Sequence, residues 1–245
     1  MQSIRGRVLE ALPPTVIMRL RVEKNRRKLG GIYAPASFLS SLVPAGSAAV
    51  DAGANVGLYA YWIARQASVV HAFEPNPDVF GQLQSSAGRK VRTYNYGLSD
   101  HESSAVLHVP SGASGDASLI PHDDPETEYA HILVQLRTLD SFDLAPIGFL
   151  KVDVEGHEEE LLTGSRETIS RNKPVVFMEI EERHRQGAVE RITTRMREDF
   201  GYSNIAFLRS GELHPFKEFD LSRDQLALAA TLYSPQYVNN FLFQP

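Results

Sequence analysis

The stretch Val50-Asp51-Ala52-Gly53-Ala54-Asn55-Val56-Gly57 limits what this chain can fold into. Small and apolar residues lead into it from Ala48, two glycines turn it, and an apolar, helix-compatible run follows from Leu58 to Ala64. That order reads as buried strand, tight turn and helix N-terminus, the opening unit of an α/β sheet. Gly53 lets the backbone turn sharply and lie close to a ligand, and Gly57 lets the new helix approach the sheet. Glu74 closes the next apolar run, Val69 to Phe73. An acid about 20 positions beyond such a turn can accept hydrogen bonds from a ribose. Together these residues point to an adenosine-containing cofactor.

The details narrow the cofactor. A dinucleotide fingerprint has glycine where Asp51 stands, and here the last glycine comes one residue late. A carboxylate at this turn repels a pyrophosphate and suits a cationic ligand. S-adenosylmethionine, with its sulfonium and ammonium, fits. An NAD-dependent oxidoreductase is the alternative that Asp51 disfavours. The expected cofactor contacts are Asp51, Gly53, Asn55, Gly57, Glu74 and Pro75, joined by Leu98 and Ser99 from the loop Gly97-Leu98-Ser99-Asp100. That loop follows the third strand at the same sheet edge and is placed to meet the adenine.

The chain has 245 residues, enough for one large domain. A net charge of -5 gives no general affinity for polyanions, so nucleic acid is not expected as a partner. There are no cysteines, which excludes disulfides and cysteine-ligated zinc. No apolar run approaches the ~20 residues of a membrane span. Glu10, Pro13 and Pro14 interrupt what a signal peptide would need. The expected compartment is the cytoplasm.

Residues 1–47 read as an N-terminal extension, a candidate substrate-binding or oligomer-forming element, with a short helix near Pro35–Leu42. A homo-oligomer is a candidate assembly. Its basic cluster, Arg19 to Lys28, reads first as a solvated face and second as a grip on an anionic substrate group. The domain proper runs over 48–245. The first strand and its turn are expected at 48–57 and further strands at 69–74, 91–96, 147–153 and 175–180, with helices between them. Residues 103–139 break that rhythm and read as a β-hairpin-like insertion carrying a loop able to cover the pocket. The last two strands are expected at 205–209 and near 228–233.

The chemistry gathers at the end of the fourth strand. Lys151, Asp153 and Glu155 alternate, so they share one side if the strand persists that far. Gly156 releases the turn, and His157 follows. Methyl transfer to a hydroxyl needs a group that makes the oxygen nucleophilic, and Asp153, Glu155 and His157 are candidate bases. Glu179 ends the fifth strand at the same edge, so Asp153 and Glu179 are candidate ligands for a hard divalent ion such as Mg²⁺. Glu158 to Glu160 complement the dipole of the next helix, with Glu158 a candidate cap.

The order and spacing of five pieces resemble the FkbM family of S-adenosylmethionine-dependent methyltransferases. They are Val50 to Gly57, Phe73-Glu74-Pro75-Asn76-Pro77, Gly97 to Asp100, Arg137-Thr138-Leu139-Asp140 and Leu150 to Glu158, the last carrying the distinctive Asp-x-Glu-Gly-x-Glu pattern. The resemblance covers about 48 to 182. It implies the class I methyltransferase architecture, a Rossmann-like, seven-stranded, mostly parallel sheet with a reversed last strand and helices on both faces. It also implies O-methylation of a small-molecule or glycan acceptor: a sugar in a glycan, lipopolysaccharide, glycolipid or nucleotide sugar, with a polyketide or other natural product as the alternative. The edge is similar, more loosely, to that of catechol O-methyltransferases, which implies Mg²⁺ at Asp153. Glu179 matches that second ligand position only approximately, and no Asp-Asn pair follows the fifth strand.

Overall fold

The computed structural model describes residues 16, 36–111, 117–120, 127–232 and 234–245. The basic cluster from Arg19 to Lys28 and most of the N-terminal extension lie outside the described residues, as do two pieces of the expected covering loop, 112–116 and 121–126.

Five parallel strands form the middle of the molecule: β1 (Ala48–Ala52), β2 (Val69–Phe73), β3 (Val91–Tyr94), β7 (Ile147–Val152) and β8 (Val175–Glu179). Between β3 and β7 come the short β4 (Gly97–Leu98) and two longer strands, β5 (Ser103–Pro110) and β6 (Tyr129–Arg137). β9 (Asn204–Arg209), β10 (Glu212–Pro215) and β11 (Asn240–Gln244) complete an eight-stranded sheet of order β10-β9-β11-β8-β7-β1-β2-β3. β11 runs antiparallel to both of its neighbours. Seven of these strands match the expected sheet with one reversed strand, and the short β10 adds an eighth at its edge.

Every residue of β1 is buried, as strands of a sheet covered on both faces must be. Alternation then sorts side chains between two layers. Ala49, Phe149, Phe177 and Leu242 face Leu39 of α1 (Ala36–Leu42), Ile63 of α2 (Leu58–Ile63) and Leu83 of α3 (Pro77–Ser86). Val50, Leu150, Val176 and Phe241 face Leu161 of α4 (Glu158–Gly164), Ile169 of α5 (Arg166–Asn172) and Ile192 of α6 (Ala188–Glu198). α3 begins as its sequence dictates: Asn76 caps it, accepting from Asp78 N–H at 3.1 Å, and Pro77 occupies the first turn, where its missing N–H costs nothing.

The last strand is not where the sequence pattern placed it. A 3₁₀ turn at Leu226–Leu228 occupies the start of the expected segment, and its surroundings are exposed. The true strand, β11, carries Phe241, Leu242 and Phe243, all buried between β8 and β9. An Ala-rich run gives a sheet interior little to bury, whereas three large apolar residues in succession fill both faces of a central strand.

β5 and β6 pair antiparallel over their full length, from Ser103↔Leu136 to Pro110↔Tyr129, and form a separate three-stranded sheet with β4. The described segment 117–120 folds back onto this hairpin through a bridge between His108 and Ser118. Chain order reverses in the large sheet between β1 and β7, the position where ligands bind beyond the carboxyl ends of strands.

Candidate active site

A cleft opens at that position, with about 640 Å³ of empty space that includes open solvent. Gly53 and Asn55 come from the turn after β1, Glu74 and Pro75 from the end of β2, and Tyr96, Gly97 and Leu98 from the segment after β3. Asp153, Val154, Glu155 and His157 come from the turn after β7, and Leu107, Ala117 and Leu119 from the hairpin and the segment folded on it.

Gly53 makes the turn possible in two ways. Its φ is +72°, and a Cβ there would stand 1.7 Å from the carbonyl oxygen of Asp153. No side chain fits, so the turns after β1 and β7 touch backbone to backbone. Glu74 is nearly buried, and its carboxylate closes the adjacent loop. Oε2 accepts from Asn55 N–H and Oε1 from Asn76 N–H, each at 2.9 Å. A carboxylate offers about four acceptor positions, so both oxygens can also take a hydroxyl donor. Burial, which outweighs the two backbone donors, pushes its pKa up to about 7.

Asp51 does not line the cleft. It is fully buried one strand over from Lys151, its register partner, with Oδ1 3.4 Å from Nζ. Lys151 in turn donates to Asp153 Oδ2 at 3.0 Å and Gly53 O at 3.2 Å, with the ring of Tyr59 4.6 Å away. Burial alone pulls the ammonium pKa down, but Asp153 and Asp51 outweigh it and hold the pKa above its ordinary value. The charge that the sequence reading offered to a ligand is therefore spent on an internal cation. Gly57 and Ser99 do not line the cleft either, while Gly53, Asn55, Glu74, Pro75 and Leu98 do.

β7 ends at Val152, so alternation does not carry Glu155 into the site. A turn does: Glu155 has φ +50° and Gly156 +95°. Glu155 Oε2 lies 2.7 Å from His184 Nε2 and 3.5 Å from Arg183 Nη2. His157 is held through one ring nitrogen. The Ser99 hydroxyl donates to Asp100 Oδ1 at 3.0 Å, so its oxygen accepts from His157 Nε2 at 2.9 Å. Nδ1 faces Glu160 Oε2 at 3.6 Å, and burial lowers the imidazole pKa. Glu158 turns inward and accepts from Gly156 N–H at 2.8 Å, whereas Glu159 and Glu160 pair with Arg191 and Arg185.

The residues do not suit Mg²⁺. Asp153 holds Lys151, and Glu179 accepts from Asn239 Nδ2 at 2.7 Å. Burial first, then the charges of Asp153 and Glu155, holds the Glu179 carboxyl well above the usual carboxylate range. Among the described residues no three His, Asp or Glu side chains gather in a metal-holding group.

Sequence reasoning did not find Tyr96, Leu107, Ala117 or Leu119 as wall residues, nor Ser118 and His184 behind Glu155. Tyr96 arrives on the same segment as Leu98, and the others reach the site by contacts remote in sequence. The alternation of Lys151 with Asp153 was the one local signal of the buried ion cluster.

The profile of the methyltransferase FkbM domain matches residues 51–203. A hexuronic acid methyltransferase, AglP, from Haloferax volcanii is 32% identical over 127 residues, covering 46% of this chain and 48% of that protein. Methyltransferase 1 from Beauveria bassiana is 27% identical over 147 residues, covering 49% of this chain and 59% of that one. The chain thus spans about half the length of the curated relatives it matches. The crystal structure of methyltransferase FkbM from Methylobacillus flagellatus KT superposes with a TM-score of 0.53 at 16% identity, over 85% of this chain and 50% of that chain. The shared fold is the Rossmann-like α/β fold of class I methyltransferases. No helix among the described residues is long and apolar enough to cross a membrane.

Proposed function

The chain belongs to the FkbM methyltransferase family, and from that premise we propose that it is an S-adenosylmethionine-dependent O-methyltransferase acting on a sugar hydroxyl. One observation carries the cofactor. Among the described residues, the cleft is lined by three carboxylates, Glu74, Asp153 and Glu155, and by no lysine or arginine. Such a wall favours a cation and disfavours a pyrophosphate. Glu74 would hold the ribose hydroxyls, and Leu98 and Tyr96 would flank the adenine. The bound cofactor would supply an electrophilic methyl group.

The chain's own part is to place the acceptor and take its proton. Glu74 is tied to two backbone amides and Asp153 to Lys151. Glu155 is the proposed proton acceptor, because its neighbour His184 is an imidazole able to share the incoming proton. Asp153 keeps negative charge beside it, and His157 shapes the wall. The sugar class is supported by the name of the Haloferax volcanii relative, a hexuronic acid methyltransferase.

Thermal shift with S-adenosylhomocysteine against NAD tests the cofactor. At 100-fold over Kd the first should stabilise by about 2.7 kcal/mol and the second not at all. No shift with S-adenosylhomocysteine would sink the reading. Methyl-labelled donor, offered with neutral glycans, uronic-acid glycans and polyketides in parallel, tests the acceptor. Label confined to polyketides would replace the sugar by a natural product.

A further inference from the structure

Residues 117–120 alternate between two duties. Ala117 and Leu119 line the cleft and rest against the apolar side of the hairpin at Leu107, Val134 and Leu136. Ser118 and Ile120 face the turn after β7. Ser118 Oγ donates to the carbonyl oxygen of Glu155 at 2.6 Å. Ile120 stands so close that a Cβ on Gly156 would lie 2.6 Å from its Cδ1. This is the two-sided pattern of an extended segment.

Ser118 is firmly placed for that contact. It is fully buried, it exchanges both backbone hydrogen bonds with His108 at 3.0 and 2.8 Å, and its Oγ accepts from Ile120 N–H at 3.0 Å. On the other side of the turn, His184 meets Glu155 Oε2 at 2.7 Å, and its Cβ would lie 2.9 Å from a Cβ on Gly156. The left-handed backbone of Glu155 is thus gripped between the hairpin segment and the loop after β8. A non-glycine residue stays in that conformation only when its surroundings over-determine it.

We propose that Ser118 is a positioning residue that couples occupancy of the cofactor cleft to the setting of Glu155. The proposal rests on the reading of the cleft as an S-adenosylmethionine site. A ligand there touches Ala117 and Leu119 and favours the docked segment, and the docked segment holds Glu155 through Ser118. The coupling is reciprocal, so a loosened Ser118 also weakens the ligand. It makes cofactor binding the step that readies the site for acceptor.

Amide hydrogen exchange at residues 154–158, with and without S-adenosylhomocysteine, tests this in the wild type, Ser118→Ala, Ser118→Thr and Leu119→Ala. Saturating ligand should slow exchange in the wild type. Ser118→Ala should lose at least about fivefold of that slowing, the equivalent of one hydrogen bond in local opening. Ser118→Thr keeps the hydroxyl and should retain the slowing. Leu119→Ala leaves the hydroxyl contact in place but should reduce the effect, and it decides the matter if Ser118→Ala fails to fold. Wild-type slowing in Ser118→Ala at full saturation, or in Leu119→Ala where Ser118→Ala does not fold, would overturn the role of Ser118 while leaving the cofactor reading intact. Calorimetry showing no wild-type binding of S-adenosylhomocysteine would overturn both.

Discussion

Asp51 and Lys151 face each other across neighbouring strands, a fully buried carboxylate 3.4 Å from a buried ammonium. Such a pair is weak support for stability while intact, yet removing one partner strands a charge. Lys151→Met should therefore destabilise by about 3–5 kcal/mol in urea unfolding. Adding Asp51→Asn should restore a large part of that. If the double variant is as unstable as the single one, the two residues are not coupled in this way.

Glu74, the proposed ribose ligand, has a pKa of about 7, raised by burial despite two backbone donors. Ribose hydroxyls donate to the ionised form. Affinity for S-adenosylhomocysteine should be level above about pH 7 and fall as the pH drops below it, by at most about tenfold per unit. Glu74→Gln should lose about 1.5–3 kcal/mol of binding at pH 8. Its affinity should be flat across the same range. Calorimetry at pH 6, 7 and 8 separates these outcomes, and equal pH dependence in both proteins would remove Glu74 from the ribose.

Glu158 is buried on its own helix start, and burial pushes its carboxyl pKa up to about 8 from 4.5. Between those values the folded state keeps a proton that the unfolded chain has released. Stability from this group therefore declines as pH rises through that window. Glu158→Gln keeps an acceptor for Gly156 N–H and removes the titration. Its gain over the wild type should be near nil at pH 4.5 and reach about 1–4 kcal/mol at pH 8. A gain that does not change with pH in denaturant titrations would refute the assignment.

The wall carboxylates should separate by turnover. Glu155→Gln and Asp153→Asn should each leave S-adenosylhomocysteine affinity within a few-fold. The larger loss of turnover, about 10²–10⁴-fold, should belong to Glu155 as the proton acceptor. EDTA should leave wild-type activity unchanged, since Asp153 and Glu179 are both engaged within the protein. Activity lost to EDTA and restored by Mg²⁺ would reinstate the metal.

Local sequence sufficed for the framework. The glycines at 53 and 57, the apolar runs at 48–52, 69–73, 147–152 and 175–179, and the Asn76-Pro77 helix start each act over a few residues, through backbone sterics, burial and capping. Glu74 was legible for the same reason, because its place at the end of a strand follows from that strand. The last strand was not. The apolar run that starts at Leu226 and the run Phe241–Phe243 compete for one slot between β8 and β9, and only packing decides the winner.

What Asp51 and Glu155 do was decided by tertiary structure alone. A carboxylate's charge acts on whatever lies nearest, and for Asp51 that is Lys151, a hundred positions away along the chain but one strand away in space. Glu155 reaches the cleft because Ser118 and His184 hold an otherwise disfavoured turn, and both arrive from separate loops. Sequence determines which groups are present and the local shapes they prefer. Their partners, and so their charge and aim, come from the long-range packing that closes the sheet.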